Sequence, residues 1–218
     1  MSILFVLLTF LIVITVTYFL RHEQPAMAVH AEAFQPTAPF LSQTSDAPKG
    51  YCFHPGHTWA VDEGRQNARI GLDSFGAHLI GKVDRVEVVG MNRWVRQGQK
   101  ICTAYTDGVA VDLLSPVEGV ITSVNPELAA NPGVLLNDPY REGWICVVKS
   151  PEMTTNLNNL LRSTLIEPWM QDSTRRLSAL TGKLAPAAAA DGGLPVAGLI
   201  AHLAPDAQRT MIHEFFLT

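Results

Sequence analysis

Hydrophobic and polar positions change their rhythm three times along the 218 residues. Ser2 to Leu20, SILFVLLTFLIVITVTYFL, carries no charge over 19 positions. At 1.5 Å per residue, a helix of that length spans roughly 30 Å, the thickness of a bilayer's hydrocarbon core. Glu23 to Lys49 has no periodic apolar face and contains Pro25, Pro36, Pro39 and Pro48, the pattern of an extended or disordered linker. From Tyr51 to Ser150 short alternating runs are separated by turn residues, which is the strand period. Beyond Met153, Leu157, Leu160, Leu161, Leu165, Trp169 and Leu177 recur mostly at spacings of three, four or eight, which is the helix period.

The middle region predicts a mainly β fold, a sandwich or flattened barrel of many short strands. Thr58 to Asp62 and Asn67 to Leu72 pair around a turn at Glu63-Gly64. Asp73 to Leu79 is a short helix, capped by Asp73 or Ser74. Val83 to Val88 alternates. Lys100 to Thr106 and Val109 to Leu114 fold back on each other through Asp107-Gly108, because a type I′ turn needs φ > 0 at both positions and Asp-Gly tolerates it. Gly119 to Val124 and Trp144 to Lys149 are further strands, with a helical turn at Glu127 to Ala130 and a loop from Asn137 to Gly143. In the last third a helix covers Asn156 to Leu180, with Pro168 kinking it or starting a second one. Leu184 to Gly193 is a loop, and Pro195 to Leu203 and Pro205 to Leu217 are two more helices.

Composition changes this picture little. A net charge of −4 without a basic block argues against nucleic acid as a partner. Cys52, Cys102 and Cys146 are an odd set without C-x-x-C spacing, so they predict reduced thiols rather than a disulfide framework. Cys102 and Cys146 fall in strands and read as small buried hydrophobes. Cys52, His54 and His57 have the right chemistry for zinc, but the spacing is not a standard site and no fourth ligand offers itself. The absence of G-x-S-x-G, H-E-x-x-H and P-loop motifs leaves no catalytic residue to name, and the chain is expected not to be an enzyme. Ala26-Met27-Ala28 resembles a cleavage site, but no Lys or Arg precedes the apolar run, which exceeds a signal peptide's core. An anchor is therefore expected. Arg21 on its C-terminal flank places the rest of the chain in the cytoplasm by the positive-inside rule, at the inner face of a cell's inner membrane.

Five blocks in order resemble the H protein of the glycine cleavage system and, more widely, the biotinyl/lipoyl carrier domains. They are His57-Thr58-Trp59, Ala68 to Phe75, Gly81-Lys82-Val83, the hairpin with Ser115-Pro116-Val117, and Asn137-Asp138-Pro139-Tyr140 with Gly143-Trp144. The resemblance implies a lipoyl-type β sandwich. It also implies a modified lysine at the hairpin tip, seven residues before the Ser of Ser-Pro-Val. That position is Gly108, so the lipoyl-lysine position holds no amine. Tyr105 stands where the family has an acidic residue.

The expected organisation is an anchor over residues 1–22, a linker over 23–49, an H-protein-like domain over 50–151 and a helical extension over 152–218. Trp169, Phe215 and Phe216 are candidate interaction residues, the type of anchor that dominates interfaces. The plainer alternative is that these helices fold over the sandwich. The function expected is that of a membrane-tethered, non-lipoylated accessory or docking subunit without a cofactor, contacting the bilayer through residues 2–20 and an integral membrane redox or respiratory complex as partner. The alternatives are a lipoate-dependent carrier of the glycine cleavage system and an adaptor of the membrane-fusion type, although the long coiled coil of the latter is missing.

Overall fold

Asp107 and Gly108 both adopt positive φ, +45° and +81°, and turn one strand back on the next. This hairpin belongs to a computed structural model that describes residues 48–184 and 197–218. The expected anchor, nearly all of the linker and most of the Leu184–Gly193 loop lie outside the described residues. Among the described residues, no helix is long and apolar enough to cross a membrane.

The elements in order are β1 (Tyr51–Phe53), β2 (Thr58–Gly64), β3 (Asn67–Leu72), α1 (Ser74–Ile80), β4 (Arg85–Val88), β5 (Trp94–Val95), β6 (Lys100–Thr106), β7 (Val109–Leu114), β8 (Gly119–Val124), α2 (Glu127–Ala130), α3 (Val134–Asn137), β9 (Trp144–Lys149), α4 (Met153–Asn158), α5 (Ile166–Leu184), α6 (Leu199–His202) and α7 (Pro205–Phe216). Six strands form one sheet in the order β1-β2-β3-β9-β8-β5, and β4-β6-β7 form a second. Every strand pairing among the described residues is antiparallel. Alternate side chains point inward from both sheets: Ile70 and Val148 from the larger, Ile101 and Val111 from the smaller, all fully buried in one core. The mainly β sandwich with C-terminal helices matches the sequence-based expectation.

Three elements differ from it. The β2–β3 turn sits at Arg65-Gln66, with φ of +55° and +65°, not at Glu63-Gly64. A bulge between Asp62 and Gly64 absorbs the extra length. The helix drawn from Asn156 to Leu180 is two helices, α4 and α5. Between them Leu161 leaves the helical path to exchange both backbone hydrogen bonds with Phe53, each 2.8 Å. Of the two expectations for Pro168, the second holds: it kinks nothing and lies in the first turn of a second helix, α5, where no intrahelical partner for its nitrogen is needed. Finally, a helical turn, α3, runs into the loop expected to begin at Asn137.

Trp59 anchors the large sheet. It is fully buried, and its Nε1 donates to the Leu72 carbonyl at 2.9 Å and the Pro139 carbonyl at 3.2 Å. A Cβ at Gly71 would lie 2.2 Å from the indole, so only glycine fits there. Two of the resembling blocks are thus one packing unit.

Candidate functional site

The β6–β7 tip is the candidate site, and its geometry follows from the turn. Thr106 pairs with Val109, which leaves Asp107 and Gly108 as an exposed two-residue loop. A Cβ at Gly108 would meet nothing within 4 Å. The tip therefore presents backbone to solvent.

A small network braces it from the segment before β4. The Asp107 amide donates to Asp84 Oδ2 at 2.8 Å. Asp84 Oδ1 lies 3.0 Å from Lys82 Nζ. The Lys82 hydrogen bond, then that from the Asp107 amide, hold the Asp84 carboxyl below the usual carboxylate range. In return, the hydrogen bond from Asp84 raises the Lys82 pKa and keeps its ammonium charged. The Lys82 side chain is 79 % exposed. Sequence reading missed this pair as part of the tip. Their link to it is non-local, and the one available signal was the β4–β6 register, which sets Arg85 opposite Tyr105 and carries Asp84 toward the turn.

Further down the hairpin, Tyr105 Oη donates to Glu87 at 2.9 Å, and the Arg85 guanidinium sits 3.8 Å from the Tyr105 ring centroid. Arg85 also pairs with Glu87. Thr103 Oγ1 donates to Asp112 at 2.6 Å, and Lys100 lies 3.3 Å from the same carboxylate. Tyr105, in place of an acid, is therefore integrated into a surface cluster.

The candidate interaction residues are placed differently from their expected role. Phe215 and Phe216 on α7 are fully buried, and Trp169 on α5 is half-buried. His57 stacks on Phe75 at 4.2 Å and on Trp169 at 4.7 Å, while Phe215 lies 5.2 Å from Phe75. These aromatics already pack against the chain's own core, so the helices cover the sandwich. Neither phenylalanine is free to anchor a partner.

The His-rich segment forms a structural knot. His57 Nδ1 lies 2.8 Å from Asp73 Oδ2, both fully buried, and Asp73 Oδ1 caps α1 by accepting from the Gly76 amide at 2.7 Å. His57 Nε2 is buried without a hydrogen-bond partner. His54 Nδ1 accepts from the Gly56 amide at 3.0 Å. Cys52, His54 and His57 do not converge into a metal cluster among the described residues. Burial drives the Cys102 and Cys146 thiols far upward, so neither is a nucleophile.

The sequence profile of the family described as glycine cleavage H-protein matches residues 51–173. A glycine cleavage system H protein of Thermus thermophilus is 32% identical over 108 residues, covering 50% of this chain and 84% of the relative. One of Xylella fastidiosa is 31% identical over 115 residues, covering 52% and 88%. A crystal structure of a glycine cleavage system H protein from Mycobacterium marinum superposes with a TM-score of 0.50 at 21% identity, over 57% of this chain and 98% of that one, which is a likeness of fold. The profile ends within α5, so α6 and α7 lie beyond it. On the profile match over more than half its length, with relatives covered almost end to end, this chain belongs to the glycine cleavage H-protein family.

Proposed function

We propose that this H-protein-family chain works as a non-enzymatic, membrane-tethered docking subunit whose hairpin tip carries no lipoyl arm. The observation that carries the reading is Gly108. An amide-linked arm requires a primary amine, and an exposed Asp-Gly turn supplies none. The tether rests on Ser2 to Leu20, and its cytoplasmic side on Arg21. A membrane redox or respiratory complex is the partner we favour.

The family alone speaks for the other reading, a lipoate-dependent carrier, because the relatives above are named glycine cleavage system H proteins. Lys82 is the amine in the tip network on which that reading would have to rely. It lies before β4 rather than on the β6–β7 turn, and its ammonium is held 3.0 Å from Asp84 Oδ1. Intact-mass measurement of the protein from its own host separates the two. The expected mass carries no lipoyl increment. A lipoyl increment on Lys82, or on any of the other lysines, overturns our reading in favour of the carrier.

A further inference from the structure

The free edge of the six-stranded sheet is unlike the rest of the surface. β5 is only Trp94–Val95, paired to β8 through Trp94↔Val120, and the preceding loop follows β8 through a bond from the Asn92 amide to the Ile121 carbonyl. Val95 points into the core, which turns Trp94 outward. Trp94 is 51% exposed and Met91 59%, two of the four large hydrophobics that stand out among the described residues. Arg93 and Arg96 flank Trp94, are exposed, and form no ion pair among the described residues. A chain of net charge −4 thus concentrates unpaired positive charge, an indole and a thioether on one short edge. The neighbouring turn contributes one acid, Glu118, which is half-buried.

We propose that the Met91–Arg96 edge rests on an anionic bilayer surface, with Trp94 and Met91 among the headgroups and Arg93 and Arg96 against lipid phosphates. Indole rings favour the headgroup layer because one side is apolar and the N–H is polar. Arginines near anionic lipid gain from the surface potential within a Debye length. The same chain offers a reason for a bilayer to be at hand: an uncharged run of 19 residues, Ser2 to Leu20. Roughly 27 residues separate it from Pro48, and a chain of that length reaches at most about 90 Å. The edge at β5 lies five strand spacings from β1, or about 24 Å, well within that limit. The proposal rests on the tethered reading, but its test is separate from that of the anchor.

The full chain is reconstituted into phosphatidylcholine vesicles with or without phosphatidylserine, some acyl chains being brominated. Trp94→Phe gives, by difference, the Trp94 emission. With phosphatidylserine present, brominated chains should quench Trp94 and iodide should lose access to it. Arg93→Gln and Arg96→Gln should each lower the equilibrium constant for bilayer contact of the edge about fivefold, read from the quenched and unquenched populations. Raised salt should act in the same direction. If Trp94 remains as open to iodide as in detergent and unquenched by brominated lipid, the edge faces water or a protein and the proposal falls. Flotation of the vesicles without phosphatidylserine, at raised salt, reads the anchor alone: Trp94→Phe should still float. A chain that does not float sinks the anchor, while quenching by added phosphatidylserine vesicles still decides the edge.

Discussion

His54 is the residue whose environment makes a pH-dependent statement. Burial, reinforced by the neighbouring His57, lowers its pKa below the ordinary 6.5. The neutral ring also accepts from the Gly56 amide, a bond that a proton on Nδ1 would destroy. The unfolded imidazole therefore takes up its proton at higher pH than the folded one. The stability that His54 contributes is complete above about 6.5 and is lost as pH falls through that value toward the lower folded pKa. Urea midpoints of the full chain should drop between pH 7.5 and pH 5.5. His54→Asn, which keeps an acceptor for Gly56 but does not titrate, should flatten that drop. Equal losses in both proteins would place the effect elsewhere. None of this was legible in the sequence, where His54 could be weighed only as a zinc ligand by type. Its role depends on a three-dimensional turn.

Among the elements, the β6–β7 hairpin was read correctly because Asp-Gly encodes its own backbone geometry. The β2–β3 hairpin was misread because Arg65 and Gln66 adopt the same left-handed conformation without a sequence signature for it. Pro168 signalled a second helix, but the place of the break between α4 and α5 was hidden for a related reason. Leucines continue at helical spacing through Leu160 and Leu161, although Leu161 is spent on pairing with Phe53. The hairpin also sets limits on restoring an arm. In Gly108→Lys the new side chain has open space, but a non-glycine residue at φ +81° costs roughly 1 kcal/mol. A lipoyl ligase should modify this variant poorly and Tyr105→Glu/Gly108→Lys better, as read by intact mass. Equal modification of the two would show that the acidic position is irrelevant here.

At the scale of the whole molecule, the C-terminal extension is part of the core. α7 packs beside β7 and α5, and Arg176 on α5 donates to Glu214 at 2.7 Å. The sequence showed two phenylalanines near a terminus, where burial depends on a distant partner surface that no local pattern reveals. Phe216→Ala should lower the unfolding free energy by about 3–5 kcal/mol, as expected for a fully buried ring. Truncation after Ala204 should cost more, by baring Phe75 and His57. A truncated chain with an unchanged urea midpoint would make α7 an appendage. The clasp between Phe53 and Leu161 has a mechanical meaning as well. Any pull arriving through the chain ahead of Pro48 enters at β1. That strand is held by β2 on one side and by Leu161 on the other, and Tyr51 Oη is bonded to the Tyr140 carbonyl at 2.7 Å. Force applied there meets the Tyr51–Val61 pairing and the Tyr51 hydroxyl bond first, and the strand's far end, at Phe53, is held on both flanks.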